Sequence, residues 1–149
     1  MACMAYPAAP HLCAQVVIPA DPLAVREGLK ALFDTILLRS LPEDRRGTAE
    51  IVLAEALNNI VEHAYAESGG PVRLTLMRAR RRVICRLLDR GQPLPGLTLP
   101  RGALPVSDSP REGGYGWFLI HSLSQRLIYR RSAGTNRLFI VVPANNRAA

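Results

Sequence analysis

Glu55 and Asn59 stand four residues apart in the segment Leu53–Tyr65, a spacing that places both on one face of a helix, one turn apart. A carboxylate beside a neutral oxygen ligand suits Mg²⁺, which takes few protein oxygens and completes its shell with water and substrate phosphates. The carboxylate would stay free to take a proton from an attacking hydroxyl or water. The local composition is unusual, because Asn58 and Asn59 stand together mid-helix, where asparagine is a poor former and neither caps an end. Taken alone, the stripe of Glu55, Asn59, Glu62 and His63 reads more simply as a solvated face, opposite Leu53, Leu57, Ile60 and Ala64.

Two later segments carry chemistry of a matching kind. Leu87-Leu88-Asp89-Arg90-Gly91-Gln92-Pro93 ends an apolar strand in an acid, followed by glycine and proline. An aspartate there can accept the exocyclic amine of adenine, and glycine lets the backbone approach the ring. A plain strand-ending turn is the simpler explanation of this segment when it is read by itself. Glu112-Gly113-Gly114-Tyr115-Gly116-Trp117 leads directly into a helix. Glycines ahead of a helix N-terminus present free amides and a positive dipole end, which together cradle phosphate. In this order the three segments supply the metal, base and phosphate ends of one ligand, ATP with Mg²⁺.

The elements that must position these residues follow from periodicity and punctuation. His11–Ile18 is a short apolar run closed by Pro19 and predicts a first strand. Asp21-Pro22 predicts a helix start, with Leu23, Leu29, Leu32, Phe33, Ile36 and Leu37 at helical spacing behind it. Ser40-Leu41-Pro42-Glu43 matches a capping box and predicts a second helix to about Tyr65, irregular near Gly47 and ended by Gly69-Gly70. Val72–Met77 and Val83–Leu88 predict a hairpin whose tip carries Arg78, Arg80, Arg81 and Arg82. Residues 90–112 hold five prolines and no periodicity, the pattern of a functional lid. A helix over Gly116–Leu123 and strands over Gln125–Arg131 and Arg137–Val142 complete a two-layer α/β sandwich. A tail of residues 1–10, one domain over 11–143 and a tail of 144–149 are the expected organisation.

Composition narrows the function classes. With 149 residues, 48% hydrophobic and 21% charged, the chain reads as one soluble globular domain. No apolar run approaches the roughly 20 residues of a membrane span, and residues 1–10 lack the basic start of a secretory leader. Cys3, Cys13 and Cys85 have no metal-type spacing, and Cys13 and Cys85 lie in apolar runs that predict buried free thiols in the cytoplasm. The net charge of +7 permits nucleic-acid binding, but no aromatic residue interleaves with the arginine run, so a solvated turn or a docking patch for an acidic protein is expected instead.

With these segments in place, the chain resembles the Bergerat-fold (GHKL) ATPases, and within them the small anti-sigma-factor serine/threonine kinases of bacterial partner-switching systems. The resemblance runs from about Ala14 to Val142 and rests on Glu55-Ala56-Leu57-Asn58-Asn59, Asp89-Arg90-Gly91-Gln92-Pro93, Glu112-Gly113-Gly114-Tyr115-Gly116 and Gly134-Thr135. It implies a mostly antiparallel mixed sheet covered on one face by about three helices. It implies that Glu55 is the general base, that Asn59 holds Mg²⁺ and that Asp89 binds the adenine amine. Gly91 would allow close approach of the base, Gly114 and Gly116 would contact phosphates, and Thr135 would support the adenine pocket. His63, inside the helix, is not expected to accept phosphate. Arg101 and Arg111 are the cationic candidates for the γ-phosphate, without a secure match to a family motif. The implied function is phosphorylation of a STAS-like antagonist and alternate binding of a sigma factor, as a cytoplasmic homodimer. The alternative is an ATP-sensing anti-sigma or adaptor module without phosphoryl transfer.

Overall fold

Asp21 Oδ2 accepts the amide of Ala24 at 2.9 Å, and Pro22 occupies the first helical position behind it. The structure, a computed structural model, describes residues 12–102 and 115–145. Strand β1 (Leu12–Pro19) leads through that cap into α1 (Pro22–Phe33), a four-residue α2 (Ile36–Arg39) and the long α3 (Glu43–Asn59). Then come β2 (Pro71–Arg78), β3 (Arg82–Asp89), a 3₁₀ turn (Pro95–Leu97), α4 (Gly116–Leu123), β4 (Arg126–Ser132) and β5 (Thr135–Pro143). The sheet order is β1-β2-β3-β5-β4, and every described pairing is antiparallel, so the mixed sheet expected from resemblance is antiparallel among the described residues.

One face of the sheet makes the core. Val72, Leu74 and Leu76 of β2, Val83, Cys85 and Leu87 of β3, and Leu138, Ile140 and Val142 of β5 form three buried rows at the two-residue period of a strand. Val52, Leu53, Ala56, Leu57 and Ile60 close on them from the helical layer, joined by Ile120 of α4. Each large apolar side chain so buried contributes about 1.5–3 kcal/mol. Burial also pushes the Cys85 thiol up to about 12, so it is an inert core residue. Cys13 departs from the expectation of a buried free thiol: it is exposed at the start of β1 and disulfide-bonded.

Three local departures have identifiable causes. The apolar spacing through Leu37 suggests one helix, but α1 ends at Phe33, where Thr35 turns extended and its Oγ1 donates to Leu32 O at 2.6 Å. This break makes four α-helices among the described residues, where about three were expected. The capping box at Ser40 does not form. Ser40 instead closes α2, its Oγ donating to Leu37 O at 3.0 Å and accepting from Arg78 Nη1, and Pro42 takes the N-cap position of α3 without a side-chain cap. Gly47 lies inside regular helix; the irregularity falls at the other end, where Ile60–Ala64 form a π-helical turn and Tyr65 N donates to Ile60 O at 2.9 Å.

Tyr65 anchors that turn to the sheet. Its hydroxyl donates to Pro71 O at 2.9 Å and accepts from Arg90 N at 2.7 Å, joining the helix end to the start of β2 and the end of β3. The ring is buried and packs against Gly70, where a Cβ would meet ring carbon Cε1 at 2.6 Å. Tyr65→Phe keeps the ring and deletes both bonds. We expect it to lose about 1–3 kcal/mol of stability in urea denaturation, and a loss below about 0.5 kcal/mol, the scatter of a neutral surface change, would remove the hydroxyl from this role.

Candidate functional site

Asp89 and Asn136 end two of the inward rows, and register pairs them directly across β3 and β5. They are the two buried polar residues among the described ones, 5% and 4% exposed. Asn136 Nδ2 donates to Asp89 Oδ1 at 2.8 Å and to Gln92 O at 2.9 Å, and Gly91 N donates to the same Asp89 oxygen at 2.9 Å. Asn136 Oδ1 accepts from Tyr129 Oη and from Arg131 Nη1, both at 2.7 Å. Tyr129 Oη in turn accepts Leu94 N at 3.1 Å, and Arg131 Nη1 also donates to Gly91 O at 2.9 Å. Burial raises the Asp89 pKa above the ordinary carboxylate value, opposed by the Asn136 amide, the Gly91 N–H and the charge of Arg131.

This network forms one wall of a cavity of about 430 Å³ between α3 and the sheet. Ala56, Ile60, Ala64, Leu94, Trp117 and Leu138 give it apolar walls, with Asp89 and Asn136 at the sheet end and Asn59 on the helix. Such a slot accepts a flat ring between apolar surfaces and reads an amine at its closed end. Both described bonds of Asp89 go to Oδ1, so Oδ2 is the oxygen placed to accept from a ligand amine.

At the other end Asn59 Nδ2 is buried without a hydrogen-bond partner. A buried amide hydrogen left unpaired costs about 1–3 kcal/mol, a deficit that a ligand in the cavity would relieve. Gly116 opens α4 directly against this group. A Cβ placed on Gly116 would lie 2.8 Å from Glu55 Oε2 and 3.5 Å from Asn59 Oδ1, so the absence of a side chain lets the helix start meet both. Glu55 itself is half-buried and does not line the cavity.

The structure therefore brings Asn59 and Asp89 to one cavity, with Glu55 and Gly116 at its rim. Gly91 also has a packing role that its motif did not reveal: a Cβ there would overlap the Ala64 carbonyl, and Gln92 N donates to that same oxygen at 2.7 Å. Glycine is needed so that the strand end can pack on the π turn. Thr135 is half-buried and not among the cavity-lining residues; its neighbour Asn136 makes the bond to Asp89. His63 is exposed at the cavity edge. Arg101 is exposed and lies outside the cavity lining, while Gly114 and Arg111 fall outside the described residues. His121 Nε2 donates to Pro100 O at 2.8 Å, which ties the first part of the 90–112 segment to α4.

Asn136, Tyr129 and Arg131 escape a reading by motif. A signal for Asn136 was present, however: it is the polar first member of the alternation Asn136, Leu138, Ile140, Val142, whose other members are core residues. Tyr129 and Arg131 share no such signal, because their inward direction depends on the pairing of β4 with β5.

Residues 18–142 match the family of histidine kinase-like ATPase domains. The chain belongs to that family of ATPase domains. Among curated proteins it is similar to the serine/threonine-protein kinase BtrW of Bordetella bronchiseptica, 36% identical over 98 residues covering 62% of this chain and 67% of BtrW. It is also similar to the serine-protein kinase RsbW of Halalkalibacterium halodurans, 33% identical over 91 residues. That alignment covers 57% of this chain and little more than half, 55%, of RsbW. Among solved structures, the Acinetobacter baumannii histidine kinase AdeS aligns at a TM-score of 0.48 and 16% identity, over 89% of this chain and 68% of that one.

Asn136→Leu would strip Asp89 of its side-chain donor inside the same apolar volume. A carboxylic acid whose folded pKa lies above 3.8 stabilises the fold at pH below that value and loses this contribution as pH rises through the folded pKa. Removing the donor raises the folded pKa further. The deficit of Asn136→Leu against the parent chain should therefore grow as pH rises above 3.8, reaching about 2–4 kcal/mol at neutral pH. Denaturant melts at acid and neutral pH measure it, and an equal deficit at both would break the link between Asn136 and the Asp89 charge.

Proposed function

We propose that this chain is an ATP-dependent serine/threonine protein kinase that phosphorylates a small STAS-like antagonist and regulates transcription by partner switching with a sigma factor. The observation that carries the reading is the meeting of Glu55 Oε2 and Asn59 Oδ1 beside Gly116, at the rim of the cavity that contains Asp89. The two curated relatives, both named as serine or serine/threonine protein kinases, support the reaction class.

In this reading Asp89 Oδ2 accepts the adenine amine while Trp117, Ile60 and Leu138 bound the ring. Asn59 would hold Mg²⁺, whose other positions fall to water and phosphate oxygens. The donor set fits that demand, since Asn59 brings to the cavity one amide whose nitrogen is buried without a partner. An asparagine amide turned end for end presents Oδ1 where Nδ2 now lies unpaired. When bound, the ion would screen the phosphate charge. Glu55 takes the proton from the attacking serine hydroxyl as its oxygen bonds to the γ-phosphorus and the bond to the β-phosphate oxygen breaks, releasing ADP. Gly116 and Gly114 carry the phosphate contacts, Gly91 keeps the base pocket closely packed and Thr135 starts the strand that presents Asn136. A cytoplasmic homodimer belongs to the same reading through the family resemblance.

One observation favours a second reading. No arginine or lysine lines the cavity among the described residues, so the described lining offers a γ-phosphate no cation. That suits an ATP-sensing adaptor in which nucleotide occupancy alone changes partner binding. Glu55→Ala separates the two. It should lower phosphoryl transfer to the antagonist by about 100-fold or more while nucleotide affinity holds, and full transfer by this variant would end the base assignment. Asp89→Asn turns the acceptor of the amine into a mixed group, and should weaken ADP binding about 10- to 100-fold, read from Trp117 fluorescence. If partner release proceeds equally with a non-hydrolysable ATP analogue, the adaptor reading stands in place of the kinase.

A further inference from the structure

The arginine turn singled out by the sequence has no part in the nucleotide cavity. Asp89 is at one end of β3 and Arg82 at the other, so the turn lies about 23 Å away along the strand. There Arg80 and Arg81 border a separate groove of about 630 Å³, completed by Arg45 and Thr48 of α3 and by Ser122 and Ser124 at the end of α4. Among the described residues no carboxylate lines it, and Glu43 and Asp44, in the first turn of α3, are not part of the lining. Arg45 is held by a bond from its Nε to Asn145 O at 3.0 Å, which sets its guanidinium at the groove wall. The Ser124 hydroxyl is buried there with no hydrogen-bond partner.

Three arginines line one groove with no counter-charge among its described lining residues, and an unpaired buried hydroxyl there carries a desolvation cost. Both deficits are met by one kind of ligand. Arginine forks match phosphate oxygens two at a time, and a serine hydroxyl donates to the same oxygens. We infer that this groove is a second binding site, distinct from the ATP cavity, for a phosphate-bearing polyanion. The phosphate can come from free polyphosphate or from a phosphorylated serine on a protein, because the recognising chemistry is shared.

Calorimetric titration of the full chain, with its ATP cavity first filled by saturating ADP, tests the site. Inorganic tripolyphosphate is one probe; a short phosphoserine peptide and its unphosphorylated copy form the other arm. At least one phosphate-bearing probe should bind, the unphosphorylated peptide should not, and the tighter probe identifies the source. The double variant Arg80→Ala/Arg81→Ala changes two exposed side chains and should weaken binding at least tenfold, while Ser124→Ala should weaken it by a smaller factor. Failure of both phosphate probes at millimolar concentration, or equal binding by the arginine variant, overturns the site.

Discussion

The bond between Asn136 and Asp89 is the constraint on which the rest of the site depends. A carboxylate placed at the end of a core strand loses its water, and the fold tolerates it because Asn136 and Gly91 replace that water with fixed donors. Asn136 has two ends, and both are used. Its amide nitrogen serves Asp89 and the backbone of the 90–112 segment, and its oxygen receives Tyr129 and Arg131 from the edge strand. One side chain thus fixes the orientation of the carboxylate, the exit of the chain from β3 and the position of β4. A polar cluster bonded at so many of its groups is rigid, and it holds Asp89 with Oδ2 as the oxygen outside the two described bonds.

The second constraint is the close approach of that strand end to the helix. The π turn widens the last coil of the helix and leaves the Ala64 carbonyl directed at Gln92. Only a residue without a side chain fits at Gly91, since any Cβ would collide with the same carbonyl. Tyr65, one residue on, then bonds to both neighbouring strands. Cavity shape is therefore set by backbone meeting backbone, with the polar network on one side and the apolar helix face on the other.

The two ends of the sheet carry different groups for a reason that lies in the topology. Among the described strands Asp89 is the sole acidic residue, and it faces inward, whereas arginines stand at both ends: Arg78 and Arg82 by the hairpin tip, Arg130, Arg131 and Arg137 by Asp89. The antiparallel order puts the start of β3 and the finish of β5 together at the hairpin end, and their opposite termini together at the cavity. The buried carboxylate therefore has one arginine charge beside it, that of Arg131, which opposes the rise in its pKa.

The sequence by itself determined the elements and which polar groups they carry. Capping by Asp21, strand alternation and glycine or proline punctuation act over a few residues, and those boundaries are close to the ones observed. Glu55, Asn59, Asp89 and Gly116 stood out only in combination, since the first two read alone as a solvated face and Asp89 as the end of a strand. Tertiary structure decided what depends on register and close packing. Thr135 and Asn136 are adjacent, and the tight Ala133-Gly134 turn, both residues at positive φ, selects which one faces Asp89. The π turn, the packing of Gly91 on Ala64 and the use of Ser40 as a helix stop likewise arise from contacts between segments distant in sequence. Local patterning specified which groups were available, and the pairing of β3 with β5 decided which of them meet.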